Sequence, residues 1–525
     1  MKLLLLDVLI LVAAIGSVHA ADTPNIVFIL VDDLGYGDLG CYGATKIKTP
    51  NIDKLAAEGR RFTDAHAASA VCTPSRYAVM TGEYPLRVSS WGPLGFQAPL
   101  MFNPAKTTLA SLLKDQGYAT AALGKWHLGW GKGIPNWNGE LKPGPREVGF
   151  DYYFGVPCNT GAPPYVYVEN DRVVGLDRAD PMVFGPAAKK NPAHTKPYPE
   201  KHQLDLIGGA RAAHELFRDE EHCTKLTAKA QDWIREHKDR PFFLYYASLA
   251  NHHPFTPAPR FQGSSACGPY GDYLQELDWS VGEVMRTLDE CNLRDNTLVI
   301  LTSDNGGMLN AGGQEAWRAG HRLNADLLGF KFDVWEGGHR VPLILRWPGR
   351  IEAGSVSGQL VCHVDFLATF AAMTGAKLGT NDGIDSQNVF AAWTGAPDKT
   401  VREFVILAPN KKTHLSIRSG NWIYIPAQGG GGWTAESGHL LGGPAALKFA
   451  GEINSDIQDG KIVPGAPPEQ LYDLAADPSQ RTNVIREHPA VADHLRGLLK
   501  KYQDESALQQ SLRPDKPRRK KPRAP

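Results

Sequence analysis

Four apolar runs without polar alternation, each closed by a polar cluster, constrain this chain more than any other feature. Asn25-Ile26-Val27-Phe28-Ile29-Leu30-Val31 ends at Asp32-Asp33, and Ala119 to Leu123 ends at Gly124-Lys125-Trp126-His127-Leu128-Gly129. Phe242-Phe243-Leu244-Tyr245-Tyr246 leads to Asn251-His252-His253-Pro254, and Thr297 to Thr302 leads to Ser303-Asp304-Asn305-Gly306. A strand apolar at every position is buried on both faces, the condition of a parallel sheet covered by helices. Helical segments sit between the runs. One opens at Thr49-Pro50 and stops at Gly59, Leu109 to Asp115 stops at Gly117, and Thr224 to His237 and Tyr273 to Glu290 follow. The expectation is an open α/β sheet, which binds ligands just past the C-terminal ends of its strands. All four polar clusters fall there.

Beyond about Thr394 the pattern changes to short alternating runs, Thr413 to Arg418 and Asn421 to Ile425, then a Gly-rich stretch from Gly429 to Gly443. Glu469 to Leu474 and a last helix from Ala490 to Tyr502 complete a small antiparallel-sheet subdomain. At 525 residues the chain has room for a large domain and this appended one. The division expected is a leader over 1–20, a catalytic domain over 21–394, the subdomain over 395–505 and a tail over 506–525. Lysine behind Met1, an apolar run from Leu3 and Ser17-Val18-His19-Ala20 read as a secretory signal cut near Ala20, which places the protein outside the cell or in the periplasm. The apolar run is shorter than the ~20 residues of a spanning helix, so no integral membrane segment is expected after cleavage. Basic and acidic residues balance at 56 each, so no global field points to nucleic acid or a membrane surface. Only Arg513 to Arg523 is strongly basic, and with its prolines it reads as a solvated, disordered tail. The long Gly/Pro-rich loops Trp91 to Pro104, Trp130 to Pro145 and Pro157 to Pro199 read as functional. Of seven cysteines, six besides Cys72 are free to pair in an oxidising compartment or to stay as buried thiols; their spacing is not that of a zinc site.

Asp32, Asp33, Asp304 and Asn305 offer oxygen ligands only, a set that selects Ca²⁺ or Mg²⁺ over zinc or copper. An all-protein oxygen cage suits Ca²⁺ better, because Mg²⁺ keeps its waters. Cys72-Thr73-Pro74-Ser75-Arg76 gathers a thiol, a fixed ring, a hydroxyl and a permanent cation. Ser75 and Arg76 enter a helix over Tyr77 to Met80, which sets Cys72 near helix-end amides that favour an anion. Lys125 and His127 alternate on an extended segment and so can point the same way. A compact ammonium suits an anionic oxygen, and an imidazole moves a proton near neutrality. By chemistry alone His252 and His253 are interchangeable.

Together with Lys331 ahead of Trp335-Glu336-Gly337-Gly338-His339-Arg340-Val341-Pro342, these motifs resemble those of the type I sulfatases from about Asn25 to about Asn483. These are formylglycine-dependent enzymes of the arylsulfatase A and N-acetylgalactosamine-6-sulfatase kind. The resemblance implies an alkaline-phosphatase-like α/β fold: a large mixed, mostly parallel sheet sandwiched by helices, with a smaller C-terminal antiparallel-sheet subdomain. It implies that Cys72 becomes formylglycine, made by a formylglycine-generating or anaerobic sulfatase-maturating enzyme. It also implies Ca²⁺ or Mg²⁺ held by Asp32, Asp33, Asp304, Asn305 and residue 72. In the implied mechanism the hydrated aldehyde attacks sulfur in line while the metal, Arg76, Lys125 and Lys331 stabilise the equatorial oxygens. His252, selected by the His-x-Pro pattern, protonates the leaving alcohol, and His127 takes the second hydroxyl proton as sulfate departs.

Asn159 stands where some arylsulfatases carry a serine that touches sulfate. His321 and His339 read equally as subsites for a polar or sugar-like substrate and as packing residues, and Glu336 to Pro342 reads as a supporting wall. The expected substrate is a sulfated carbohydrate or aryl sulfate. The alternatives are a phosphonate monoester or phosphodiester hydrolase of the same superfamily and a non-catalytic carbohydrate-binding relative. Lys125, His127, His252 and Lys331 together favour sulfate, and the chain keeps Cys72 and every metal acid, which a non-catalytic relative would have lost.

Overall fold

The computed structural model describes residues 23–185, 207–395, 399–435 and 438–511. The expected leader and the basic run from Arg513 lie outside them. Ten strands form the main sheet. They are β1 (Asn25–Val31), β2 (Arg60–Phe62), β3 (Ala119–Lys125), β4 (Tyr152–Val156), β5 (Val168–Glu169), β6 (Arg172–Val173), β7 (Phe242–Ser248), β8 (Thr297–Ser303), β9 (Leu343–Arg346) and β10 (Ser355–Ser357). Their order is β10-β2-β9-β8-β1-β7-β3-β4-β5-β6. β8, β1, β7, β3 and β4 run parallel to one another, while β9 runs antiparallel to both β8 and β2 and β5 antiparallel to β4. The sheet is therefore mixed, with a parallel centre. Every residue of β1, β3, β7 and β8 is buried, as their unbroken apolar sequences require.

Two groups of helices cover the sheet. α1 (Pro50–Ala57), α4 (His222–Glu236) and α5 (Gly268–Glu290) pack together, as do α2 (Cys72–Thr81), α3 (Leu109–Asp115) and α6 (Phe366–Thr374). In the C-terminal subdomain, β11 (Phe404–Leu407), β12 (Ser416–Ser419), β13 (Trp422–Ile425) and β16 (Gln470–Asp473) form an antiparallel sheet in that order, and β14 (Trp433–Thr434) pairs with β15 (Leu440–Leu441). α7 (Pro489–Ser511) packs on this sheet and on the turn Pro85–Val88 of the large domain. It continues well past Tyr502, into the stretch the sequence assigns to a tail. No two of the seven cysteines, all of them among the described residues, are joined in a disulfide.

Register decides where the polar clusters meet. Val31 lies opposite both Ser248 and Ser303, Gly124 opposite Ala247, and Lys125 opposite Val156. The central strands therefore finish level, and the segments that follow them emerge on one edge. β3 reaches Lys125 rather than stopping at Leu123 because Gly124 leaves room for its neighbours. A Cβ at Gly124, where φ is 103°, would stand 2.0 Å from Ala247 O, and one at Gly155 would stand 1.8 Å from Gly124 O. Gly124→Ala combines overpacking with left-handed strain and is expected to destabilise the fold by about 3 kcal/mol. The check is the urea unfolding midpoint, and a midpoint equal to that of the wild type would contradict this account of β3.

Candidate active site

Three buried ion pairs close the edge where the parallel strands end. Lys125 Nζ, at the last residue of β3, bonds both oxygens of Asp32, at 2.9 and 2.7 Å. Lys331 Nζ reaches Asp33 Oδ1 at 2.5 Å. Arg76, from the second turn of α2, places Nε 2.9 Å and Nη2 2.7 Å from Asp304 Oδ2, and its Nη1 donates to Lys125 O at 3.2 Å. Asp33 N–H donates to Asp304 Oδ1 at 3.2 Å, and Asn305 Nδ2 donates to Asp33 Oδ1 at 2.8 Å. The side chains of Asp32, Arg76, Lys125 and Asp304 are wholly buried.

Charge pairing sets the electrostatics. Burial alone would raise Asp32, but surrounding cations, Lys125 foremost, hold it well below the usual carboxylate range. Burial and the Asp32 carboxylate push Asp304 up against the pull of Arg76. Burial would lower Lys331, and the Asp33 carboxylate more than offsets it, so Lys331 stays a cation. Two buried oxygens of the cluster, Asp33 Oδ2 and Asn305 Oδ1, accept no hydrogen bond. Buried acceptors without a donor cost about 1–3 kcal/mol each, and a cation among them removes that cost. With carboxylate and amide oxygens converging, Asp32, Asp33, Asp304 and Asn305 fit a hard divalent ion. Asp32, Asp33 and His252 bring ligand atoms within 4.8 Å of one another, but an imidazole is the wrong donor for such an ion.

Cys72 is the first residue of α2, whose N-terminus carries no side-chain cap, so its first amides remain available to an anion. Burial keeps the thiol above its ordinary value despite Lys125 and Lys331 nearby. An unmodified thiol there is protonated and a poor nucleophile near neutrality. Thr73 Oγ1 donates to His127 O at 3.0 Å and accepts from Leu94 N–H at 3.1 Å, which fastens the loop after Trp91 to the site.

The extended alternation expected for Lys125 and His127 does not occur. His127 has φ 56°, because Trp126 and His127 donate their N–H groups to Val156 O and Pro157 O and turn the chain across β4. His127 Nε2 lies 2.9 Å from Leu94 O. A carbonyl only accepts, so Nε2 carries the hydrogen and Nδ1, buried without a partner, holds the lone pair. Burial and the cations Lys125 and Arg76 hold this imidazole neutral. His252 is fixed in the opposite sense, with Nδ1 donating to His253 O at 2.5 Å and Nε2 3.8 Å from Asp33 Oδ2. Burial pushes His252 down to about 3, against the pull of Asp32.

The remaining sequence-derived residues lie around this centre. Asn159 Oδ1 stands in the loop after β4, 3.6 Å from the position a Cβ on Gly161 would take, as do Pro254 and His253 O at 3.0 and 3.5 Å. Asn159 and the histidine loop are therefore neighbours. His321 is 2% exposed, and its Nε2 is 2.6 Å from Asp38 Oδ1, while Asp38 Oδ2 accepts from Tyr270 OH and Gly35 N–H at 2.7 Å each. His339 Nδ1 lies 3.1 Å from His66 Nδ1 and its Nε2 2.9 Å from Val334 O. Both are engaged by protein groups. Glu336, as expected of a wall residue, is buried and bonded to Arg340 and Arg418. Sequence reasoning missed Asp38, Thr73 and Leu94. Asp38 follows Gly35-Tyr36-Gly37, a run that signals only a turn, and Leu94 acts through its carbonyl, which no side-chain pattern reveals.

The chain has counterparts among known proteins in both sequence and fold. A sequence model of the family described as Sulfatase matches residues 24–376. The N-acetylgalactosamine-6-O-sulfatase of Bacteroides thetaiotaomicron is 38% identical over 501 residues, covering 91% of this chain and 92% of that protein. A solved structure reported under metabolism of multiple glycosaminoglycans by the same organism superimposes with a TM-score of 0.81 at 36% identity, covering 92% of this chain and 100% of that one. The phosphonate monoester hydrolase of Agrobacterium radiobacter shares the fold alone, with a TM-score of 0.54 at 17% identity over 93% of this chain and 96% of that one.

Replacing the orphaned acceptor without its oxygen tests the ion site. Asn305→Leu should reduce bound Ca²⁺ or Mg²⁺ from about one per chain to near zero by elemental analysis after gel filtration, with an unchanged circular dichroism spectrum. Stoichiometric metal in the variant would contradict the assignment.

Proposed function

This chain belongs to the sulfatase family and hydrolyses sulfate esters; we propose that its substrate is a sulfated carbohydrate, cleaved with formylglycine at position 72 and one divalent cation, Ca²⁺ in preference to Mg²⁺. The observation that carries the reading is the meeting of Cys72, at an uncapped helix start, with Lys125, Lys331 and an oxygen-only ligand set. The relative's name makes a 6-O-sulfated N-acetylgalactosamine the first substrate to try. Formylglycine supplies a hydroxyl nucleophile, and the cation supplies positive charge beside it.

The chain's own residues do the rest. Lys125 and Lys331 present ammonium groups to the sulfate oxygens, where charge is greatest in the transition state. Arg76, wholly buried on Asp304, holds that carboxylate in place. His127, with Nε2–H committed to Leu94 O, offers Nδ1 to take a proton from the group at position 72. His252, with Nδ1–H committed to His253 O, turns Nε2 toward the leaving oxygen. Neutral in the free protein, it becomes a general acid once the anionic ester beside it raises its proton affinity. Asn159, beside the histidine loop, is the residue assigned to touch sulfate in this reading. The carriers of a phosphonate monoesterase alternative would be the same carboxylates, and the two lysines with two oriented imidazoles favour sulfate over it.

The proposal includes secretion or periplasmic placement, resting on the composition of Met1 to Ala20, and maturation by a formylglycine-generating or anaerobic sulfatase-maturating enzyme. It also includes a catalytic unit ending near Thr394 and a subdomain beyond it. No helix among the described residues is long and apolar enough to cross a membrane.

Peptide mass analysis of protein from its native host should show loss of the thiol at position 72 and gain of an aldehyde. Free thiol alone in fully active enzyme would overturn the nucleophile. Turnover of aryl sulfate should exceed that of aryl phosphate and phosphonate, and the reverse order would favour the alternative. His252→Ala should lose roughly 10²- to 10⁴-fold in rate on esters with alkoxide-like leaving groups and much less on nitrophenyl sulfate. Equal losses on both would mean that another group is the acid.

A further inference from the structure

The Gly-rich stretch of the C-terminal subdomain lies over the active site, and one carboxylate fastens it there. Asp333 accepts the N–H groups of Phe330, Gly432 and Gly443 at 3.1, 3.2 and 2.7 Å. Val334 N–H donates to Gly430 O at 2.7 Å. A Cβ at Gly430 would stand 2.2 Å from Asp333 Oδ1, and one at Gly442 2.5 Å from Oδ2, so glycine lets the carboxylate sit inside the turn. Asp333 is two residues from Lys331. The β14–β15 hairpin and the lysine therefore share an anchor.

From that base the hairpin spans the site. Leu441 packs on the cluster of Val71, Cys72, Met308 and Phe332. The Phe332 ring lies 5.3 Å from Lys331 Nζ and 5.1 Å from the ring of Trp433. Phe332 has φ 78°, a conformation a bulky residue rarely takes, and its N–H is tied to Ala70 O at 2.9 Å. Immediately before β15, His439 meets His253 edge to face at 5.7 Å, next to His252. Trp433 is 37% exposed and is the one exposed tryptophan among the described residues. A large aromatic ring, left open to solvent and propped on the ring of a residue with a strained backbone beside a catalytic lysine, is a ready-made stacking surface.

We propose that Trp433, seated on Phe332, is the stacking platform for the sugar unit joined to the one that bears the sulfate. This rests on the sulfated-carbohydrate reading. Lys331 fixes the sulfate end, and Trp433 lies one aromatic ring farther out, where the apolar C–H face of a neighbouring pyranose would lie. The pairing makes the hairpin a determinant of oligosaccharide selectivity rather than of bond cleavage.

The test compares 6-O-sulfated N-acetylgalactosamine with a disaccharide carrying the same unit, using nitrophenyl sulfate as a control for the sulfatase itself. The wild type should favour the disaccharide, mainly through KM. Trp433→Ala should raise KM for the disaccharide about tenfold, with kcat within about twofold and a much smaller effect on the monosaccharide; Trp433→Phe should recover most of the difference. A wild type without disaccharide preference, a preference that survives Trp433→Ala, or equal losses on both sugars would overturn the platform, the last by making the hairpin a mere prop for Lys331. Hydrolysis of nitrophenyl sulfate with no turnover of either sugar would sink the carbohydrate reading and the platform together.

Discussion

The buried ion pairs Lys125–Asp32, Lys331–Asp33 and Arg76–Asp304 are the constraint on which the rest of the molecule depends. Six charges withdrawn from water are costly, and a pair of this kind adds little stability over an apolar replacement, whereas removing one partner strands the other. Their retention is therefore a matter of position. Each pair joins the end of a parallel strand to a different element: β1 to β3, β1 to the loop before Glu336, and β8 to α2. Level strand ends are a precondition, and close glycine contacts among β3, β4 and β7 make them level.

Three strained residues stand at the same centre. Asp33, His127 and Phe332 all have positive φ, a conformation that costs of order 1–3 kcal/mol for such residues. Each is held by backbone bonds to another element: Asp33 to Asp304, His127 to Pro157 O, and Phe332 to Ala70 O. The subdomain contributes to this bracing. Arg418 of β12 grips Asp64 through two bonds of 2.6 and 2.7 Å, lies 2.8 Å from His66 Nε2, and reaches Glu336 at 3.4 Å. That buried network ties the antiparallel sheet to the wall carrying Gly337 and Gly338, which in turn lies against Gly306 and Asp333.

Much of this architecture is legible in the chain because its signals are local and strong. Unbroken apolar runs mark β1, β3, β7 and β8, and their polar endings mark the site edge. Asp32, Asp33, Cys72, Arg76, Lys125, Asp304 and Lys331 do meet there. Pattern fails where backbone geometry is set from elsewhere in the fold. Lys125 and His127 are spaced for a shared face, yet His127 is turned by carbonyls of the β4 segment, which no reading of its own neighbours reveals. His321 and His339 show the same limit: a buried histidine on a carboxylate and one in a subsite have identical sequence signatures until Asp38 and His66 are located. Trp433 sits in a Gly-rich run that reads as irregular, and only tertiary packing on Phe332 gives it a role.

In the proposed mechanism the carboxylates paired with Lys125 and Lys331 are also the ligands of the cation, so that ion binding releases two ammonium groups to sulfate. Such sharing makes the two ligands thermodynamically coupled, each tightening the other by the same factor. The direct measurement is calorimetric titration of inorganic sulfate into chelated and Ca²⁺-loaded enzyme at one ionic strength. Sulfate affinity should rise at least about tenfold with Ca²⁺, a coupling of about 1.4 kcal/mol, and Ca²⁺ affinity should rise equally with sulfate. Equal sulfate affinity with and without Ca²⁺ would contradict the account.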